Sequence, residues 1–119
     1  MVQRTPRKAA PDVNRLAGMM AAMGTASRLR IMRLLLSAHP QGLIVGDIQA
    51  ELGIHGATLS HHLQKLRHEG LVSVVREGTF LRYVVDTAAL RALLGFLYSE
   101  CCGRSRAVDP EDLIRQCRC

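Results

Sequence analysis

The chain has 119 residues, 48% of them hydrophobic and 22% charged, with a formal charge of +6. One domain of ordinary size accounts for that length, which excludes a large multidomain enzyme, and the composition excludes wholesale disorder. The positive balance points to a polyanionic partner, while an aromatic content of 3% without Trp excludes a base-stacking platform for single strands.

The charge is uneven along the chain. Arg4, Arg7, Lys8 and Arg15 face only Asp12 in the first fifteen residues, whereas the basic and acidic residues of 83–119 cancel. Residues 1–11, with Pro6 and Pro11 among basic and small residues, read as a disordered basic arm. No run approaches the ~20 apolar residues of a membrane span. The mild apolar run over 16–24 follows Asp12, Asn14 and Arg15 and reads as a helix face rather than a signal peptide. A cytoplasmic protein with no membrane partner is expected. In that compartment four cysteines are ligands or redox groups rather than structural disulfides.

A first helix is predicted over about 12–23, with Val13, Leu16, Met20 and Met23 as its apolar stripe. Thr25 caps a second over about 26–38, with Leu29, Met32 and Leu36 inward and Arg28, Arg30 and Arg33 largely outside. Pro40-Gln41-Gly42 breaks the chain, and Leu43-Ile44-Val45 read as a short strand. A third helix follows over about 46–52, with Ile48 and Leu52 inward, and Gly53 ends it. A fourth over about 56–69 buries Leu59, Leu63 and Leu66, with Gly70 at its end. From Leu71 β-branched and aromatic residues take over, split by Glu77-Gly78, which predicts a two-stranded hairpin up to Val85. A last long helix over about 87–101 carries Leu90, Leu93, Leu94 and Leu97. The tail from Gly103 is polar, with one short helix turn at Asp109-Pro110-Glu111-Asp112.

Helix, Gly-containing turn, helix, then hairpin is the order of a winged helix-turn-helix, mostly α with a small β-hairpin. The outward side of the fourth helix offers His55, Thr58, Ser60, His61, Gln64 and Lys65, all able to bond a base edge or a phosphate. Arg76 and Arg82 would meet phosphates from the wing. A polar helix face alone favours an ordinary solvated surface; the element order and the excess charge turn the reading toward DNA. His62, beside the buried Leu63, is read as a packing or phosphate residue. His39 and His68 are expected to face solvent, and such scattered histidines do not predict a metal site.

The chain resembles the ArsR/SmtB family of metal- and stress-responsive repressors. Ser27-Arg28-Leu29-Arg30-Ile31 with Leu34-Leu35, Val45-Gly46-Asp47-Ile48, and Leu52-Gly53 carry the likeness. It continues through Thr58-Leu59-Ser60-His61-His62-Leu63-Gln64-Lys65-Leu66, Glu69-Gly70-Leu71-Val72, Arg76-Glu77-Gly78 and Arg82-Tyr83. The resemblance covers about 12–102, taken as the DNA-binding and dimerisation domain, and leaves 103–119 as a cysteine-containing tail. It implies a homodimer joined through the first and last long helices, bound to a palindromic double-stranded operator and released by an inducer.

The family's inducer sites carry over only in part. Where many members have a Cys-x-Cys-Asp-Leu motif this chain has Ile44 and Gly46. The zinc site of Asp and His pairs on the last helix meets Asp86 followed by Ala88, with no His on the helix. What remains is Cys101-Cys102 at the end of the last helix, with Cys117 and Cys119 in the tail. This resembles the arsenite-responsive subgroup, which pairs adjacent cysteines with a third farther along. Trivalent arsenic, like other soft ions, prefers thiolates, and Arg104 and Arg106 would favour those forms. Cys117 and Cys119 are both candidates for the third ligand. A redox or persulfide switch, or Cd, Pb or Zn as inducer, stays open on the same cysteines. No organic cofactor is expected. An enzyme is not, since the chain lacks Cys-x-x-Cys, a phosphate-binding Gly loop and an evident Ser/His/Asp set. A winged helix that only bridges proteins would bind DNA without salt dependence or not at all.

Overall fold

The computed structural model describes residues 12–104 and 107–117, and these contain six α-helices, one π-helical turn and three strands. The basic arm, Arg106 and Cys119 lie outside the described residues. The chain divides into two compact units, one reaching Thr87 and a second over Ala88–Cys119.

In the first unit, α1 (Val13–Ala22) starts at Asp12, whose carboxylate accepts the amides of Asn14 and Arg15. Such a cap satisfies amides that the first turn leaves without intrahelical partners. α2 (Ala26–Ser37) starts the same way, with Thr25 Oγ1 accepting the Arg28 amide at 3.2 Å. α3 (Val45–Leu52) ends at Gly53, whose φ of +66° turns the chain into α4 (Gly56–His68). That left-handed residue is the turn of the helix-turn-helix, and glycine adopts it without a Cβ penalty. α4 closes with Gly70 at φ +78°: the Leu71 amide reaches back to the Leu66 carbonyl and the Gly70 amide to that of Arg67. This paired closure delivers Leu71 straight into the core, where it is fully buried.

The sheet is antiparallel in the order β1-β3-β2, from β1 (Leu43–Ile44), β2 (Val72–Glu77) and β3 (Phe80–Val85). β2 and β3 form the hairpin, in register from Val72 opposite Val85 to Glu77 opposite Phe80. β1 adds a third strand, Leu43 opposite Tyr83 and Ile44 opposite Arg82. Sequence patterning predicts the hairpin and the short strand at Leu43-Ile44, but not their pairing: residues about forty positions apart share no local signal.

Met19, Ile31, Met32, Leu35, Ile48, Leu59, Leu63 and Leu66 are buried beside Leu71 as the core of this unit. Leu59, Leu63 and Leu66 stand as predicted. The stripes of the two preceding helices are shifted. α1 buries Leu16, Met19 and Ala22, leaving Val13 and Met20 exposed; α2 buries Ile31, Met32 and Leu35, leaving Leu29 and Leu36 exposed. Both helices are apolar on two sides, so a spacing of three and four fits either stripe, and only packing against α3, α4 and β3 selects one. Val45 opens α3 rather than closing the strand, and Leu52 is half-buried.

Gly42 shows how closely β1 is seated. It is buried with φ +78°, and a Cβ there would overlap the carbonyl of Tyr83 on β3. We expect Gly42→Ala to lose at least about 1–3 kcal/mol of stability, from left-handed strain with the clash added to it. Gly46→Ala, in open space on α3, is the control and should be neutral or stabilising. Urea denaturation of the two variants checks this.

In the second unit, α5 (Thr87–Tyr98) buries Ala89 and Leu93 and exposes Leu94, Leu97 and Tyr98. The predicted single helix over 87–101 stops at Tyr98 and widens into a π-helical turn over Ser99–Arg104. The tail helix α6 (Pro110–Gln116) is longer than the single turn expected, with Asp109 capping it through the Glu111 amide. No helix among the described residues is long and apolar enough to cross a membrane.

Candidate nucleic-acid interface and cysteine pair

Burying Leu59, Leu63 and Leu66 turns the opposite side of α4 to solvent. Thr58, Ser60, His61, Gln64 and Lys65 are all exposed there, with His55 exposed at the residue preceding the helix. Lys65, Arg67 and His68 occupy the last turn, where cations suit the helix dipole. The result is a rigid polar rod, free of carboxylates over its whole length and of the diameter a major groove admits.

The two wing arginines differ. Arg76 is exposed beside the turn, one guanidinium nitrogen 3.5 Å from the Gly78 carbonyl. Arg82 is bound within its own protomer: Nε and Nη2 donate to Glu77 Oε1 at 3.1 and 2.9 Å, and Nη1 to the Gly42 carbonyl at 3.3 Å. It ties β3 to the chain entering β1, a positioning role that the sequence did not show.

Behind α4 lies a contact that spans 34 positions of sequence. Arg28 Nε donates to the Ala22 carbonyl at the end of α1, and its Nη1 stands 3.4 Å from Nδ1 of His62. Burial, the Arg28 charge and His61 together push the His62 imidazole below its ordinary pKa. The ring is therefore neutral at physiological pH, with Nδ1 as acceptor for Arg28. His62 is thus a packing residue, one of the two readings its sequence position allowed. His39 and His68 are exposed, as expected.

The sign of the pH effect follows from that depression. As pH falls through the ordinary imidazole range, about 6.5, the unfolded chain takes up a proton that the folded chain still refuses. Stability from this group is complete above that range and is lost until pH drops below the lowered folded pKa. We expect the midpoint of urea unfolding to fall further between pH 7.5 and 5 in the wild type than in His62→Gln, which keeps an acceptor but does not titrate.

At the other end of the chain, Cys101 and Cys102 bring their sulfurs to 3.2 Å within the π-helical turn. Cys102 is buried and Cys101 half-buried; the Cys101 thiol donates to the Tyr98 carbonyl at 3.8 Å. The Cys101 carbonyl accepts the Val108 amide at 3.1 Å, folding the first part of the tail back onto the pair. Cys117 is exposed at the C-cap of α6, and all three stand as thiols. Among the described residues no three His, Cys, Asp or Glu side chains gather into a metal-sized cluster. The two sulfurs of the pair are the cysteine sulfurs that the described residues bring together.

A reading helix presented by a helix-turn-helix and flanked by a hairpin wing defines a DNA-binding transcriptional regulator. A helix-turn-helix domain family matches residues 23–75. The nodulation protein NolR of Rhizobium meliloti is 30% identical over 97% of this chain and 92% of its own. The transcriptional activator HlyU of Vibrio cholerae is 30% identical over 71% of this chain and 75% of its own. Among solved structures, the homodimeric winged helix-turn-helix domain of Mb0332 from Mycobacterium bovis, a possible ArsR-family regulator, superposes with a TM-score of 0.60. It is 28% identical, with 89% of this chain and 95% of that one covered. The chain belongs to the ArsR-type winged-helix family of transcriptional regulators. HlyU is named as a transcriptional activator and Mb0332 as a possible transcriptional regulator, in line with a regulator rather than an enzyme.

Proposed function

We propose that the protein is an arsenite-responsive repressor that binds a palindromic operator as a homodimer and is released when trivalent arsenic takes up its cysteine thiolates. The observation that carries the inducer assignment is the 3.2 Å approach of the Cys101 and Cys102 sulfurs. Two thiolates so placed offer one soft ion two bonds without rearrangement. Cys117 or Cys119 supplies the third, and closing a loop of about fifteen residues costs little more entropy than closing a shorter one. In the exchange three thiol S–H bonds and three As–OH bonds break, three As–S bonds form, and the thiol protons leave with the hydroxides as three waters, with no change of oxidation state.

Dimerisation is supported by what α1 and α5 leave exposed. Val13 and Met20 on the one, and Leu94, Leu97 and Tyr98 on the other, are large apolar side chains that a second copy covers. A dimer sets two α4 helices for successive major grooves, and half-sites one turn apart follow as a palindrome.

The test is fluorescence anisotropy of the reduced protein on its own promoter DNA at fixed salt, with arsenite titrated in. Release at stoichiometric arsenite supports the proposal. Tight binding that ignores arsenite and yields to an oxidant, a persulfide donor or a soft divalent metal moves the inducer to that agent and keeps the DNA.

A further inference from the structure

α1, α2 and α4 line an open cavity of about 570 Å³ on the flank of the reading helix. Small-molecule pockets run from ~300 to ~1,000 Å³. Ala21 gives it an exposed apolar wall, Arg28 and Lys65 two cations, and Gln64 and His61 polar groups. Its single carboxylate, Glu69, lies along α1 at Gly18, where an added Cβ would overlap it. Arg28 is already anchored through Nε and Nη1 to Ala22 and His62. Three of its five N–H groups have no partner among the described residues, on a guanidinium whose position is fixed.

We infer that this cavity binds a small organic acid, a carboxylate on a compact apolar body, and that occupancy competes with operator DNA. The anchored Arg28 fork and Lys65 suit the carboxylate, and the alanine wall takes the body. A duplex phosphate would use the cations and leave Ala21 wet, so the organic acid uses more of the site. Competition follows because His61, Gln64 and Lys65 belong both to the cavity and to the outward face of α4. That second part rests on the DNA reading of α4; the binding itself does not.

The probes are benzoate, benzamide as its neutral analogue and inorganic phosphate, followed by amide chemical shifts of the full-length protein without DNA. Saturable shifts at Gly18, Ala21, Gln64 and Glu69 are expected with benzoate, with benzamide and phosphate each at least about tenfold weaker. Ala21→Leu, a helix-compatible change at an exposed position, fills the cavity and should weaken benzoate by about tenfold or more. Lys65→Gln should weaken it severalfold. Shifts that do not saturate, that phosphate reproduces at equal strength, or that survive Ala21→Leu overturn the site. In a second arm, benzoate should lower affinity for promoter DNA in the wild type and not in Ala21→Leu. Binding without that effect overturns the competition alone.

Discussion

Arsenite is expected to lower the affinity of the reduced protein for its promoter DNA by about 5- to 150-fold, the usual range for coupling between two sites. Cys101→Ser should raise the arsenite concentration needed for release by at least about tenfold while leaving inducer-free DNA binding within about twofold. The two effects are expected to separate because the residues belong to different elements. Cys101 is half-buried in the π-helical turn over Ser99–Arg104, whereas the reading helix is α4, Gly56–His68. Serine keeps a hydrogen-bond donor for the Tyr98 carbonyl but is too hard a ligand to replace a thiolate. Cys117→Ser and Cys119→Ser, made singly, identify the third ligand: whichever reproduces the Cys101 variant supplies it. Unchanged response in Cys101→Ser would mean that the inducer binds elsewhere.

Salt gives the second large effect. A dimer meeting roughly six to ten phosphates should lose about 10³- to 10⁵-fold in DNA affinity between 50 and 200 mM salt. Variants of the α4 face divide by what each side chain does. Gln64→Ala, removing an amide fit for an adenine edge, should cost about 1–3 kcal/mol on the preferred site and relax discrimination there. Lys65→Ala should weaken all sequences alike and reduce the salt slope by about one for each phosphate left without its cation. Arg76→Ala should resemble Lys65→Ala. Arg82→Ala should differ from both, because its bonds to Glu77 and the Gly42 carbonyl make it a strut of the wing. Its removal should appear in thermal stability as well as in DNA binding. Binding that is indifferent to salt would exclude an interface built on these cations.

What could be read in the sequence followed from local signals. Thr25, Gly53, Gly70 and the turn at Gly78 act through φ angles and caps within a few residues, and the element borders they mark lie within a residue or two of those observed. Leu59, Leu63 and Leu66 were legible because the rest of α4 is polar, so only one stripe could face inward. Along α1, α2 and α5 apolar residues lie on more than one side, and a single chain cannot say which side meets its own core and which meets a second copy. The outward residues of α4 were legible for the same reason as its core. The Arg28–His62 contact, the Arg82 strut and the pairing of β1 with β3 were not, since each joins residues 34 to 40 positions apart in sequence with no pattern between them. The cavity between α1, α2 and α4 was hidden likewise: its walls come from three separated helices.

The pairing of β1 with β3 has a mechanical meaning. β1 runs without a break into α3, so the wing is spliced into the segment that leads to the reading helix, with Arg82 riveting the joint. Within one protomer, then, the gap between what α4 touches and what the wing touches is a fixed length, like one jaw of a caliper. A caliper measures by the travel between its jaws and never by bending one of them. On the function proposed above, an inducer has no need to deform that reading edge; it has only to set the two jaws at the wrong opening for the groove spacing of DNA.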